Sequence, residues 1–503
     1  MQQKNLICPI IIVLGFLFFL LTIRSGQPWP DDFAMYIHEA KNLVEHVPLS
    51  ETGYIYNPSN PGMGPRSYPP VFPAFLAPAY MIGGLNNLAP MQVEIVVFFS
   101  GLLFLLWRGL GAQLALPFRV AMLAVIGFNP LLWTYKDFIV SDIPFAFFLY
   151  LALTEADCFI TDCEGAAKKG WRILGLAALI YLCYGTRTMG IILIPALVLL
   201  AAMYWKRGGR TVAAAATLGL ILCLIQLKIV GGEATYADQL RLGFPKLVEA
   251  IFHNVVTYTW SLSTFWQNPY AKILRDIIFF SFTLLAAVAY FRRIRMGARI
   301  YELFSPLYLS VVLLWPNPAG ARYLIPIFPL YVYYGLEGAE TLRVWLKIHR
   351  VEYIMVPLMG VVLLSYGAEF HRLDFGPFKE GISNKEAQAL FSFIKSNTTP
   401  KDIFIFRRPR ALALFTERSA AVYPLPENDA NYCRYFQTIG ATYLIEAPAL
   451  DDPGFDGFLK SENLEKQPVF SNADFAVFPL QADDLKRCAN HGISANALPS
   501  HLP

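Results

Sequence analysis

Eleven apolar runs divide this chain, and the charges between them alternate in a fixed pattern. A bilayer core of about 30 Å needs roughly 20 apolar residues per crossing helix. Runs near that length lie at 6–23, 91–107, 118–135, 141–156, 173–186, 188–205, 211–230, 275–291, 302–315, 323–341 and 353–368. The first also has features of a signal peptide. It is long for one, though, and no small-residue cleavage pattern follows before Trp29, so it reads as an anchored helix.

Lys and Arg stay on the cytoplasmic side of short loops, which makes the direction of the chain testable. With Lys4 and the N-terminus inside, the inner loops carry Arg108 and Arg119; Lys168, Lys169 and Arg172; Lys206, Arg207 and Arg210; Arg292, Arg293, Arg295 and Arg299; and Arg343, Lys347 and Arg350. The short outer turns hold one basic residue each: Lys136, Arg187 and Arg322. A wrong number of crossings would break this alternation. Three longer segments then fall outside: Arg24 to Pro90, Gly231 to Leu274, and the tail from Glu369 to Pro503.

The tail is different material. Its runs 402–406, 442–446 and 474–480 have strand character, and 383–397 is an amphipathic helix with Ala387, Leu390, Phe391 and Ile394 on one face. Cys433 and Cys488 both lie in it, where an oxidising compartment permits a disulfide. The expected fold is a mainly α membrane protein: a polytopic unit over 1–368 with about eleven transmembrane helices, and a small soluble α/β domain over 369–503, outside the cytoplasm.

Composition agrees. Apolar residues make up 55% of the 503 and charged residues 16%, against roughly 25% charged in a soluble domain. Such a chain cannot cover a water-facing surface, which excludes a purely soluble enzyme; it is too hydrophobic for disorder. A net charge of +4 is too weak to point to nucleic acid, and the seven cysteines form no metal-binding pairs. His38, His46 and His253 form no metal spacing either.

Several polar residues stand out against this background, on the outer side. After the first run, Pro30, Asp31 and Asp32 can open a helix, with Asp32, Tyr36 and Ala40 along one stripe. A carboxylate held there beside apolar side chains has its pKa raised by burial and can take a proton from an attacking group; the alternative is that Asp31 and Asp32 only cap the helix. Tyr68-Pro69-Pro70 makes a stiff entry to an apolar stretch, 67–84, too short to span, which lies in the interface or re-enters beside the protein. Asp142 opens the fourth run, where it is functional or a cap. Arg187 and Arg322, the latter followed by Tyr323, oppose the inside preference for basic residues. A guanidinium fork suits a phosphate, and interface snorkelling is the other reading. In the 231–274 loop, Leu247, Ile251, Asn254, Val255 and Tyr258 fall at helical spacing, and Tyr258, Trp260, Phe265 and Trp266 suit a helix in the headgroup region.

These residues, in order and spacing, resemble the GT-C membrane glycosyltransferases. More narrowly, the chain looks like the branch with the dolichyl-phosphate-mannose protein mannosyltransferases and the bacterial aminoarabinose transferase of lipid A (glycosyltransferase family 39-like). The resemblance is carried by Asp32-x3-Tyr36-x3-Ala40, Tyr68-Pro69-Pro70-Val71, Ser141-Asp142-Ile143-Pro144-Phe145, Thr186-Arg187 and Arg322-Tyr323-x5-Pro329, across nearly the whole chain. It implies a sugar donor on a polyprenyl monophosphate, transfer to a lipid, glycan or protein acceptor on the non-cytoplasmic face, usually with inversion, and a bacterial inner membrane location. It implies Asp32 as the residue acting at the acceptor. Asp142, with Asp31 beside Asp32, becomes an acceptor- or metal-site candidate, and Arg187, Arg322 and Tyr323 become phosphate-site candidates. A divalent metal ion is among the cofactors the resemblance allows. Two positions depart from the pattern: Phe33 follows Asp32 where the family often has Glu, and Arg66-Ser67-Tyr68 stand directly before the Pro69-Pro70 pair, where the lipid A transferases carry a Glu. The rival class is a multi-pass lipid or polysaccharide transporter, which needs polar residues at mid-membrane depth along its helices. A membrane subunit without chemistry is the third reading.

Overall fold

The computed structural model describes residues 6–161, 169–230, 244–268, 270–350, 352–425, 429–461, 467–483, 485–486 and 488–489. Lys4, Lys168, the start of the 231–274 loop and the end of the tail lie outside the described residues.

Every one of the eleven apolar runs falls on helix. From the N-terminus, α1 (Ile7–Leu21) is followed by α2 (Asp32–Glu45), the short strand β1 (Tyr54–Ile55), α3 (Val71–Gly83) and α4 (Ala89–Arg108). The run 118–135 is broken in two, α5 (Leu116–Gly127) and α6 (Pro130–Tyr135). Asn129 causes the break: its side chain accepts from the Leu131 and Leu132 N–H groups and Pro130 takes the first helical position, so a new helix starts there. Then come α7 (Asp142–Ile160), α8 (Lys169–Thr186), α9 (Leu193–Met203), α10 (Arg210–Val230), α11 (Phe244–Ser263), α12 (Lys272–Gly297), α13 (Ile300–Leu314), α14 (Phe328–Trp345) and α15 (Glu352–Phe370). Four stretches among the described residues are long and apolar enough to cross a membrane, Ala89–Gln113, Asp142–Thr161, Trp205–Ile229 and Lys272–Gly297; seven further apolar helices are shorter. The chain is built as a multi-pass membrane protein.

The stretch after Tyr68-Pro69-Pro70 is the helix α3, packed on α2 and α4 with Met81 and Ile82 exposed at its end. One expectation is corrected here. Of the four aromatics Trp260 is exposed and Tyr258 is buried, and so are Phe265 and Trp266, which are not turned to the headgroups: Phe265 stacks on Phe328 at 4.0 Å and Trp266 meets Phe282 at 4.7 Å. The helix α11 ends just before them, and the chain folds their rings into the α12–α14 packing instead.

The tail contributes α16 (Lys385–Asn397), β2 (Ile403–Ile405), α17 (Pro409–Thr416), β3 (Ser419–Ala421), α18 (Asp429–Ile439), β4 (Tyr443–Glu446), α19 (Pro453–Ser461), β5 (Phe470–Ser471) and β6 (Ala476–Pro479). The buried face of α16 is Ala387, Leu390, Phe391 and Ile394. Cys433 and Cys488 are disulfide-bonded, with Cα atoms 5.9 Å apart. The sheet runs β1-β3-β2-β4-β6-β5, parallel through β4 and antiparallel beyond it. Its first strand comes from the loop after α2, so the α/β layer is not made from the tail alone. Further bonds stitch loop to tail: Asn57 and Asn60 donate to the carbonyls of Val422 and Tyr423 at 2.9 and 3.0 Å, and the Trp29 ring sits among Phe391, Phe406 and Phe475. The layer is thereby fastened over the start of α2, where Asp31 and Asp32 lie.

Candidate active site

Four chain segments far apart in sequence meet at one cavity of about 520 Å³. The start of α2 brings Asp32 and Tyr36, the loop before α3 brings Gly64 and Tyr68, the break between α8 and α9 brings Arg187, and the turn before α14 brings Arg322 and Tyr323. Met189, Ile191, Ile192, Val311 and Trp315 give it an apolar wall, and Thr188 and Asn317 add two further polar side chains.

Local sequence explains each placement. The helix α8 stops at Thr186 and the chain doubles back through Gly190, where a Cβ would come within 2.5 Å of the Cys183 backbone. Only glycine fits so close an approach, and the turn aims Arg187 into the cavity. Asp142 is the first residue of α7, with Pro144 in the same turn. Tyr68 is held by its backbone: its N–H donates to Glu39 of α2 at 2.6 Å, and Ser67 donates to the same oxygen at 3.1 Å.

The charges are interlocked. Arg322 Nε donates to Asp142 Oδ2 at 2.8 Å, and its Nη1 pairs with Asp32 Oδ2. Arg187 Nη1 pairs with the other oxygen of Asp142 and lies over the Tyr323 ring at 5.2 Å. Tyr68 donates its hydroxyl hydrogen to Asp32 Oδ1 at 2.6 Å, and Tyr36 shares a hydrogen bond with Ser141 at 2.8 Å. The Asp142 side chain is 1% exposed and that of Asp32 28%, so the first is a buried anchor and the second faces the cavity.

Two expectations change. Burial does push the Asp32 carboxyl upward, but Arg322, Arg410 and the Tyr68 hydroxyl outweigh it and hold the group well below the usual carboxylate range. Asp31 does not reach the cavity at all. It is buried, and its two oxygens accept the N–H groups of Arg410 and Ala411, at 3.0 and 2.9 Å. Those are among the first amides of α17, which have no partner within their own helix. Asp31 is thus removed as an acceptor or metal ligand, because both its oxygens face another helix. Burial raises its pKa to about 6 against the opposing pull of Arg410. Neither Asp31 nor Asp32 caps α2 through its side chain; Asp31 is the preceding residue and makes no such bond, and Asp32 is turned to Arg322.

The carboxylates that could hold a divalent ion are engaged with other groups. Both oxygens of Asp142 and of Asp32 already accept from guanidinium or phenol groups. Among the described residues no three His, Cys, Asp or Glu side chains come together. A larger hollow of about 890 Å³ lies between α16 and the loops at 23–26 and 85–89, but the one charged side chain on its walls is Lys395.

Two members of the site were not singled out from sequence. Glu39, fully buried, anchors the Tyr68 loop. Arg410 reaches in from the tail. For Arg410 a signal was available, the run Arg407-Arg408-Pro409-Arg410 between a strand and an amphipathic helix.

No family model matches the chain, and no curated protein matches it. Solved structures do. ArnT from Cupriavidus metallidurans in the apo state superposes with a TM-score of 0.59 at 9% identity, over 94% of this chain and 98% of that one. The same protein bound to undecaprenyl phosphate gives 0.53 at 12%, over 95% and 98%. The oligosaccharyltransferase AglB from Archaeoglobus fulgidus, in complex with an inhibitory peptide and a dolichol-phosphate, gives 0.57 at 11%, over 88% and 69%; it has also been solved with zinc and sulfate. Both neighbours are GT-C glycosyltransferases. At such identities the likeness is one of fold, and the fold of this chain is the GT-C membrane fold that its motifs resemble.

Proposed function

We propose that the chain is an integral membrane glycosyltransferase. It takes a sugar from a polyprenyl-phosphate donor and passes it to a lipid, glycan or protein acceptor on the extracytoplasmic face, in the bacterial inner membrane. The observation that carries this reading is the meeting of Arg187 and Arg322 with Asp32 in one cavity that also has an apolar wall, Met189, Ile191, Ile192, Val311 and Trp315. Neighbours of the same fold bind undecaprenyl phosphate and dolichol-phosphate, which supports the donor class. The topology that goes with it has about eleven crossings, a cytoplasmic N-terminus and an outer α/β layer. Its support is the alternation of Lys and Arg along the loops.

The chemistry is a single displacement. The acceptor oxygen bonds to the anomeric carbon while the bond from that carbon to the phosphate oxygen breaks, and the electron pair leaves on the phosphate. Arg187 and Arg322, with Tyr323 beside them, stabilise the charge that builds on the phosphate. Asp32 orients the acceptor hydroxyl and takes its proton. In the resting site Asp32 is a weak base, because two guanidiniums hold it ionised. A bound phosphate competes for Arg322 and so returns basicity to Asp32 when the donor is in place. The apolar wall receives the isoprenoid, whose burial contributes about 0.8 kcal/mol per CH2.

The transporter reading is less well supported: α7 carries its acidic residues at its ends, Asp142 at the start and Glu155 and Asp157 towards the finish, with no Asp, Glu, Lys or Arg at mid-depth. The test is direct. Purified protein is incubated with undecaprenyl-phosphate-linked sugars and an envelope acceptor fraction, and released undecaprenyl phosphate is followed by mass spectrometry. Release that depends on acceptor supports the reading; no release with any sugar contradicts it.

A further inference from the structure

The α/β layer sends a side chain into the site beneath it. Arg410 is the second residue of α17, and its side chain is 1% exposed. Nη1 donates to the Tyr68 hydroxyl oxygen at 2.6 Å and lies 3.4 Å from Asp32 Oδ1; Nη2 donates to the Pro65 carbonyl at 3.1 Å. The guanidinium lies over the Tyr68 ring at 4.9 Å and the Tyr54 ring at 4.8 Å. A guanidinium so deeply buried is costly unless anions and acceptors surround it. Here those partners are the site's own groups. The cavity wall is shaped to let it in: a Cβ at Gly64 would stand 2.9 Å from Arg410 Nη2, and Gly64 holds a φ of +90°. The backbone of Arg410 is pinned separately by Asp31, which accepts its N–H at 3.0 Å.

The hydrogen-bond arithmetic follows. The Tyr68 hydroxyl has one hydrogen. With Arg410 donating to its oxygen, that hydrogen is directed at Asp32 Oδ1, 2.6 Å away. Asp32 Oδ1 is thereby fixed toward Tyr68 while Oδ2 is left toward Arg322 and the cavity. We propose that Arg410, seated by Asp31, is a positioning residue of this site: it sets the Tyr68 hydroxyl and, through it, which oxygen of Asp32 faces the acceptor, making the C-terminal α/β layer a working part of the site. The proposal rests on the transferase reading above.

The test is a double-mutant cycle on the full-length protein with Arg410→Gln, Tyr68→Phe and the pair combined, and with Arg410→Lys as the conservative variant. Transfer from an undecaprenyl-phosphate-linked sugar gives kcat and KM, and binding of undecaprenyl phosphate alone is measured beside it. Misplaced reacting groups cost about 10- to 100-fold in rate, so Arg410→Gln should lower kcat by that order and leave undecaprenyl phosphate affinity within about twofold of wild type. Arg410→Lys should recover part of the rate, and Arg410→Gln should cost little more once Tyr68 is Phe. Independent, multiplying effects of the two substitutions would overturn the positioning role, as would equal loss in the Lys and Gln variants. A wild-type protein that binds undecaprenyl phosphate yet transfers nothing would overturn the transferase reading and this role with it. A wild type that transfers while the cycle shows no coupling would overturn the positioning role alone.

Discussion

Arg322 and Asp142 lie 180 positions apart in the chain and meet at 2.8 Å, nitrogen to oxygen. The same guanidinium pairs with Asp32, so one side chain ties the loop after α1 to the start of α7. An arginine so placed can exchange a carboxylate for a phosphate without leaving its position, since the planar fork fits both.

Arg322→Ala should therefore weaken undecaprenyl phosphate binding about ten- to a hundredfold, the worth of one or two hydrogen bonds to a charged group. Melting should fall less, because Asp142 keeps Arg187. Titration of the purified variant with undecaprenyl phosphate checks this, and an unchanged affinity would remove Arg322 from the donor site.

Asp142→Asn should act mainly on stability. The carboxylate is 1% exposed and accepts from both Arg187 and Arg322. Removing one partner of a buried charge set costs about 3–5 kcal/mol. Arg322 retains Asp32, which places the expected loss near the lower end. Thermal unfolding in detergent gives the answer; a melting temperature equal to wild type would mean that the pairing contributes nothing to the fold.

Chelation should leave transfer untouched. The oxygens a divalent ion would use are held by Arg187, Arg322 and Tyr68. Activity is compared before and after dialysis against EDTA, with added magnesium, manganese or zinc in separate arms. Loss on chelation and return with one metal would show that the arginines give way to an ion.

Glu39 makes stability depend on pH. Burial raises its pKa from 4.5 to about 8, against the pull of the Tyr68 N–H. The folded state then binds a proton that the unfolded chain has released, so stability falls as pH rises from about 4.5 to about 8. Glu39→Gln is neutral throughout and keeps an acceptor for Tyr68 and Ser67. Its melting temperature relative to wild type should rise steadily across that window; a difference independent of pH would mean that Glu39 is ionised in the fold.

Much of this was legible in the sequence for physical reasons. A bilayer demands long apolar runs, so helix positions such as 141–156 and 211–230 fell where α7 and α10 stand. The basic loops gave a direction that put Asp32, Asp142, Arg187 and Arg322 on one face, and the structure brings those four together. What stayed hidden was short or distant. The strands β1, β3 and β5 have two or three residues each and carry no alternation to read. Arg410 reaches Asp32 across 378 positions, a contact no local pattern encodes. The same distance explains the reversed expectation for Asp32: apolar neighbours in sequence point to a raised pKa, while the guanidiniums that lower it come from elsewhere in the chain. Asp31 was misread for a similar cause, since the amides it serves belong to α17.

The central claim is tested most directly in cells, by comparing lipid-linked sugars and envelope glycans by mass spectrometry with the gene present, deleted, and replaced by an Asp32→Asn allele expressed at wild-type level. The account predicts that deletion makes one polyprenyl-phosphate-linked sugar accumulate and one envelope glycan lose that sugar. It predicts that the Asp32→Asn allele reproduces both changes. Unchanged glycans on deletion, or full restoration by the Asp32→Asn allele, would contradict it.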